Sequence, residues 1–346
     1  MSDSRTATVP RVMRAITIDR HGGPEVAQLR GDVPVPAPQP GQVLVQVVCA
    51  GVNFMDIHTR QGKYRESRTY PPRVPCTLGM EGAGVVLALG AGVTHLAVGD
   101  RVAWCIAWGS YAQYACVPAF QAARIPAAIG FDMAAAAMFQ GSTAHYLVDD
   151  VARLAPGQSC LVHAGSGSIG QLLIQMAKRL GATVFATAST PAKRAVAARR
   201  GADQTLAYDD GGFADAVRAA TGGRGVDVVF DSLGKATLRD SFRAARTRGL
   251  IVNYGNVSGS VVDLDPIELG EAGSLLLTRP RLADHMTDAA TIQRRADAVF
   301  AAIAAGALTI DMAAPCTLDD VHLVHARIEA RAQLGKSVVW IDEGLR

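Results

Sequence analysis

Residues 159–187 read SCLVHAGSGSIGQLLIQMAKRLGATVFAT. A short apolar run ending at His163 leads into Gly165, Gly167 and Gly170, then into a helical stretch from about Ser168 to Leu180, then into a second run, Thr183 to Thr187. A GxGxxG spacing alone is weak evidence in a chain with 35 glycines. Here a strand precedes it, a helix opens on it and the next strand arrives at βαβ distance, which is the setting of a dinucleotide-binding turn. Glycine permits the tight turn and lets backbone approach a pyrophosphate, while free N–H groups and the helix dipole favour the anion. Ser168 and Ile169 stand between the second and third glycines and join them as candidate contacts. The competing reading, a glycine turn without a ligand, does not account for that context.

The same alternation continues downstream. A helix is predicted near Ala192 to Arg200, a strand in QTLAY, a helix near Phe213 to Thr221, a strand in VDVVFDS, a further helix, and a strand in GLIVNYG. Strands separated by helices of this length predict a parallel sheet covered on both faces. Upstream, from about Met13 to Phe120, short β-branched runs punctuated by Gly and Pro (RAITI, QVLVQVVCAGV, GAGVVLALG, GDRVAWCIA, YAQYACV) predict an all-β half. Val43 to Val48 alternates in a way that predicts a strand with one buried face. Pro34, Pro36, Pro38 and Pro40 predict an extended connector, and Phe131 to Leu147 an alanine-rich helix at the join between the halves. From about Thr291 a long helix is followed by KSVVWI, a strand-like run placed to return to the first half.

At 346 residues the chain has room for about two domains. Its 49% hydrophobic and 19% charged content excludes a disordered or collagen-like chain. The net charge of +3 is spread without a basic stripe, which argues against nucleic acid as the main partner. No segment approaches the about 20 apolar residues of a membrane span, and the first residues carry no apolar signal core. The six cysteines form no CxxC pair and mostly sit in apolar runs, as small core residues of a protein from a reducing cytoplasm would.

After the second strand of a dinucleotide fold, an acidic residue would bond the ribose hydroxyl and repel a 2′-phosphate. This chain offers Thr187, Ser189, Lys193 and Arg194 there, and no carboxylate until Asp203. That composition predicts NADPH rather than NADH.

AGVNFMDIHTRQGKY, LGMEGAGVVLALG, GDRVAW, GSYAQY, HAGSGSIG, FDSLG, NYGNVSG and LLLTRP occur in this order. Together they resemble the zinc-independent quinone oxidoreductases of the medium-chain dehydrogenase/reductase superfamily, from about Met13 to Ile341. The resemblance implies an α/β chain with a split GroES-like β-rich catalytic domain, residues 1–139 and 286–346, and an inserted Rossmann-fold cofactor domain, residues 140–285. It implies NADPH contacts from Asn53, the glycine loop, Lys193, Tyr208, Ser232, Tyr254, Gly255, Thr278 and Arg331, which join Ser189 from the segment after the second strand. Of these, Lys193, Tyr208 and Arg331 would hold the 2′-phosphate, as charge-assisted hydrogen bonds do well. It also implies a homodimer through an edge strand, for which the run Gly273 to Thr278 is the candidate. The chain departs from the pattern at Gly165 and Ser168, where relatives often have Ala and Gly, and at His58, where a tyrosine is common.

Zinc-dependent relatives would place a ligand cysteine where Asn53 stands and a His-Glu pair where Met80 and Glu81 stand. A catalytic zinc needs about three protein ligands, and only Glu81 remains. The four-cysteine lobe of such relatives has no counterpart either, since AWCIAW with Cys105 alone separates GDRV from GSYAQY. No metal site is therefore expected, and His322 and His325, the one closely spaced histidine pair, read as a helix surface. Without a Lewis acid to polarise an alcohol oxygen, reduction of an electron-poor acceptor is the natural chemistry. Asn53 and Tyr64 are expected to line the acceptor site, with Tyr64 the proton donor and His58 assisting. The alternative is an NADPH-dependent reductase of enones or enoyl thioesters, although no basic cluster for a CoA arm is visible.

Overall fold

The computed structural model describes residues 9–67, 69, 74–208, 212–330, 332, 333, 335–342 and 344. The chain divides into two compact units, one made of Met1–Phe139, Met286–Phe300 and Ile310–Arg346 and the other of Gln140–His285 and Ala301–Thr309.

The first stretch carries β1 (Val12–Ile18), β2 (Gln28–Pro34), β3 (Gln42–Gly51), α1 (Phe54–Arg60), β4 (Cys76–Thr77), β5 (Glu81–Leu89), β6 (Arg101–Cys105), β7 (Tyr114–Pro118), β8 (Ala122–Arg124) and α2 (Phe131–Tyr146). The middle stretch carries β9 (Ser159–Val162), α3 (Ser168–Arg179), β10 (Thr183–Thr187), α4 (Pro191–Arg199), β11 (Gln204–Leu206), α5 (Phe213–Ala220), β12 (Val226–Asp231), α6 (Leu238–Ala244), β13 (Ala245–Asn253), α7 (Ile267–Glu271) and β14 (Leu276–Thr278). The last stretch carries α8 (Ala289–Ala304), β15 (Cys316–Thr317), α9 (Val321–Glu329) and β16 (Val338–Trp340).

Among the described residues the strands form three sheets, two of them in the first unit. The larger runs β15-β16-β3-β5-β6-β8, with β7 also on β3, and the smaller runs β2-β1-β4. β3 takes β5 along one edge, and β7 and β16 share the other, with Val45 opposite both Val86 and Ala115, and Ala50 opposite Val339. Val43, Val45 and Val47 pack with Trp104 and Val117, while Leu44 and Val48 on the opposite face are just as buried. The expectation of one buried face on β3 is thus corrected: both faces of this strand are packed over, and alternation in size does not report that.

The all-β expectation for this half is also corrected by α1. Asn53 stands at its N-cap in extended backbone, and the Asp56 carboxylate accepts the Asn53 backbone N–H at 2.8 Å. That reciprocal capping nucleates a short helix inside an otherwise β-rich sequence. The expectation of a helix surface for His322 and His325 is corrected at His325, which is buried. On α9, Val321, Val324 and His325 all face inward at helical spacing, and of the two histidines only His322 is exposed. His325 lies under the Tyr111 ring, with centroids 6.0 Å apart.

The second unit holds a parallel sheet in the order β11-β10-β9-β12-β13-β14. β9 and β12 are buried throughout, as central strands with helices on both faces must be. One core gathers Leu161, Phe185, Phe213, Val217, Val229, Leu238, Phe242 and Ile251. Each such side chain contributes about 1.5–3 kcal/mol by leaving water.

Candidate active site

The glycine loop leaves β9 at its C-terminal end and becomes α3 with Gly167 as N-cap. The Gly165 N–H donates to Thr187 O at 2.9 Å, which draws the loop against the end of β10. A Cβ on Gly165 would stand 2.9 Å from the Ala186 Cβ, and one on Gly170 would stand 2.4 Å from Ala164 O. Glycine at these two positions is therefore demanded by close approach. The first-turn amides of α3, Ser168 to Gly170, point outward from the helix start without intrahelical acceptors, which is the geometry an anion requires.

The other expected cofactor residues of this unit gather at the same C-terminal edge of the sheet. Ser189 follows β10 and Tyr208 follows β11, and the Ala188 N–H donates to Leu206 O at 3.0 Å between them. Lys193 is exposed in the first turn of α4, whose N-cap Thr190 accepts the Lys193 backbone N–H at 3.2 Å. Asp203, the first carboxylate after β10, stands at the opposite end of the strands. It accepts the Val184 N–H and pairs with Lys178 at 2.7 Å. Ser232 follows β12, and its hydroxyl donates to His163 O at 3.4 Å. Tyr254 and Gly255 follow β13, with the Tyr254 N–H on Asp231 O at 2.8 Å, and Gly255 passes so close to Ser232 that a Cβ would meet its carbonyl at 2.4 Å. Thr278 ends β14 opposite Val252. Arg331 lies outside the described residues.

Beneath these loops lies a polar brace that sequence reasoning passed over. His163 is buried, with Nδ1 2.8 Å from Thr187 Oγ1 and Nε2 2.9 Å from Ser241 Oγ. Ser241 and Thr237 donate in turn to the buried Asp231 carboxylate, which also takes the Leu233 and Gly234 N–H groups. Burial holds the imidazole below its ordinary pKa, against the pull of Asp231. A histidine closing an apolar strand immediately before a glycine turn was the available signal.

In the first unit the structure brings His58 and Tyr64 together. His58 Nδ1 is 3.4 Å from the Tyr64 hydroxyl, and the rings meet edge-on at 5.9 Å. Burial first, and the Lys63 charge second, lower the His58 pKa to about 4, so the imidazole is neutral at physiological pH. Asn53 is buried, with both ends of its amide held. Its Nδ2 donates to Glu81 Oε2 at 2.8 Å, and its Oδ1 accepts from Lys336 Nζ at 2.8 Å. Lys336 also pairs with Glu81 at 2.7 Å. Lys336 was not singled out by the sequence, although a lysine opening the apolar run VVWI and a glutamate opening GAGVV are isolated opposite charges that burial forces together. Among the described residues no three His, Cys, Asp or Glu side chains converge as metal ligands. The partner of Glu81 is an ammonium, whose charge opposes a metal cation at that carboxylate. Asp56, beside them, is pushed up to about 7 by burial, against the Asn53 N–H and the Tyr111 hydroxyl at 2.9 Å.

Residues 39–127 match the family model described as alcohol dehydrogenase GroES-like domain, and residues 168–278 the model described as zinc-binding dehydrogenase. The chain is 36% identical over 327 residues to quinone oxidoreductase 1 of Escherichia coli (strain K12), covering 94% of this chain and 98% of that protein. It is 36% identical over 332 residues to a 2-haloacrylate reductase of a Burkholderia species, covering 95% and 99%. Its fold superposes on the crystal structure of Escherichia coli quinone oxidoreductase complexed with NADPH with a TM-score of 0.87 at 35% identity, over 94% of this chain and 99% of that one. No helix among the described residues is long and apolar enough to cross a membrane.

Proposed function

The chain belongs to the zinc-independent quinone oxidoreductase family of the medium-chain dehydrogenase/reductase superfamily, and from that premise we propose that it is an NADPH-dependent reductase of flat, electron-poor acceptors, quinones first. The observation that carries this reading is the glycine loop beside a carboxylate-free exit from β10. Gly165 and Gly170 have no space for a Cβ, and Thr187 to Arg200 holds Lys193, Arg194, Arg199 and Arg200 but no acid. These residues fit a phosphorylated dinucleotide.

The second unit is the cofactor domain in this reading and the first is the catalytic domain. NADPH, when bound, supplies a hydride. The Ser168, Ile169 and Gly170 amides hold the pyrophosphate. Ser189, Lys193 and Tyr208 hold the 2′-phosphate end, with Arg331 assigned there by sequence alone. Ser232, Tyr254, Gly255 and Thr278 complete the contacts along the edge of the sheet. Asn53 and Tyr64 face the acceptor, and the Tyr64 hydroxyl donates a proton to the oxygen that gains charge. His58 stays neutral and accepts from or donates to that phenol as the proton moves.

The match to a 2-haloacrylate reductase favours a second reading, reduction of a small activated alkene. There the cofactor would supply the hydride for the β-carbon, and Tyr64 would protonate the α-carbon. Benzoquinone, phenanthrenequinone, 2-haloacrylate, a 2-alkenal and crotonyl-CoA, assayed side by side with NADPH and NADH, separate the two. Turnover of the quinones with NADPH supports the first reading, and turnover of the alkenes alone replaces it with the second.

We also place the protein in the cytoplasm as a homodimer. The six thiols are all unbridged, as a reducing compartment keeps them. Leu276 on the edge strand β14 is 63% exposed, and an apolar edge of this kind calls for pairing. Light scattering that returns a monomer mass at micromolar concentration would remove the dimer.

A further inference from the structure

Lys336 precedes β16 and is buried, with its side chain 2% exposed and that of Glu81 0%. Its ammonium has three N–H groups and three acceptors: Glu81 Oε2 at 2.7 Å, Asn53 Oδ1 at 2.8 Å and Val52 O at 3.1 Å. Asn53 Nδ2 closes the ring by donating to the same Glu81 oxygen, while the other Glu81 oxygen accepts the Phe139 N–H. An asparagine side chain is ordinarily free to present either end. Here only its oxygen can face the ammonium and only its nitrogen can face the carboxylate. Asp56 Oδ2 fixes the Asn53 backbone as well. Beyond Glu81, Nδ2 makes only a long contact, to Gly51 O at 3.5 Å, so its second hydrogen is held weakly.

Stability does not account for this arrangement. Replacing a buried ion pair by apolar groups of similar volume is often neutral or stabilising. What the charges supply is a single orientation of one amide, and a donor polarised by the carboxylate behind it.

We propose that Lys336 is the positioning residue of the acceptor site: paired with Glu81, it locks the Asn53 amide so that one Nδ2 hydrogen is always the group offered to the acceptor. This rests on the reading that Asn53 faces the acceptor. A residue contributed by the end of the chain thereby sets the chemistry of a residue at the start of α1.

The test is a double-mutant cycle on the full chain, with folding followed by circular dichroism and turnover by steady-state kinetics on benzoquinone at saturating NADPH. Lys336→Met is expected to lower kcat/KM by about tenfold to hundredfold, the worth of a charge-assisted hydrogen bond. On an Asn53→Ala background the same change is expected to cost less than about threefold further, because Lys336 acts through that amide. Multiplicative losses, or a folded Lys336→Met enzyme with unchanged kcat/KM, overturn the inference while leaving Asn53 in the site. An Asn53→Ala enzyme with undiminished turnover overturns the reading beneath it. Should Lys336→Met fail to fold, the pair Lys336→Met with Glu81→Gln leaves no buried charge alone. That pair is expected to fold and to remain impaired, and wild-type turnover in it overturns the proposal.

Discussion

The His163 imidazole and the Thr187 hydroxyl lie 2.8 Å apart across the ends of β9 and β10, and the other imidazole nitrogen reaches Ser241 on α6 at 2.9 Å. One buried side chain thus ties the end of β9 to the end of β10 and to α6. His163→Phe puts a somewhat larger ring in place of the imidazole and removes both hydrogen bonds, leaving the buried Thr187 hydroxyl without its partner while Ser241 keeps Asp231. It is expected to cost about 2–4 kcal/mol in urea unfolding and to weaken NADPH binding. An unchanged midpoint with unchanged NADPH affinity would show that the brace is dispensable.

Two buried groups of the first unit should drive stability in opposite directions with pH. Asp56 is raised from 3.8 to about 7 by burial, so its contribution is intact below its unfolded value and is lost as pH rises through 7. His325 is lowered from 6.5 to about 3 by burial and then by the Arg60 charge, so its contribution is intact above its unfolded value and is lost as pH falls toward 3. Neither His325 nitrogen has a hydrogen-bond partner among the described residues. Asp56→Asn should therefore stabilise the fold more at about pH 8 than at about pH 5, and His325→Phe the reverse, each with a difference between the two pH values on the order of 2 kcal/mol in unfolding free energy. Parallel melting curves for either variant across that range would refute its assignment.

Cofactor choice is expected to turn on Lys193. Lys193→Glu places a carboxylate where a 2′-phosphate would bind and should lower kcat/KM for NADPH by about tenfold to hundredfold. The value for NADH should change far less. Equal losses for both cofactors would mean that the residue serves the helix and not the phosphate.

Tyr64→Phe keeps the ring against His58 and removes the hydroxyl. If that hydroxyl supplies the proton, kcat for benzoquinone should fall by about a hundredfold, with KM for NADPH unmoved. Full turnover in the variant takes Tyr64 out of catalysis.

The cofactor unit was largely legible in the sequence because its signals are local. Gly165, Gly167 and Gly170 sit between a strand and a helix that neighbour them in the chain, and each later strand announces itself within a few residues. The first unit was less legible because its decisive partners are remote. The second buried face of β3 leaves no mark in the alternation of Val43 to Val48, because burial of Leu44 and Val48 depends on packing outside that window. His325 looked like surface because a histidine counts as polar, yet Val321 and Val324 already marked its face. The Asn53–Asp56 capping spacing was visible and could have announced α1. Lys336 could be recognised only once β16 had brought it to Glu81.

That return of the chain also sets an order of assembly. Every strand of the parallel sheet, β9 to β14, lies in one uninterrupted stretch, whereas Ala50 must wait for Val339. On a ribosome the cofactor unit can close its sheet while β3 still has a bare edge and Glu81 still lacks its cation, because closing so long a loop is both late and slow. Protease protection of nascent chains should therefore reach residues 159–278 before it reaches residues 42–51.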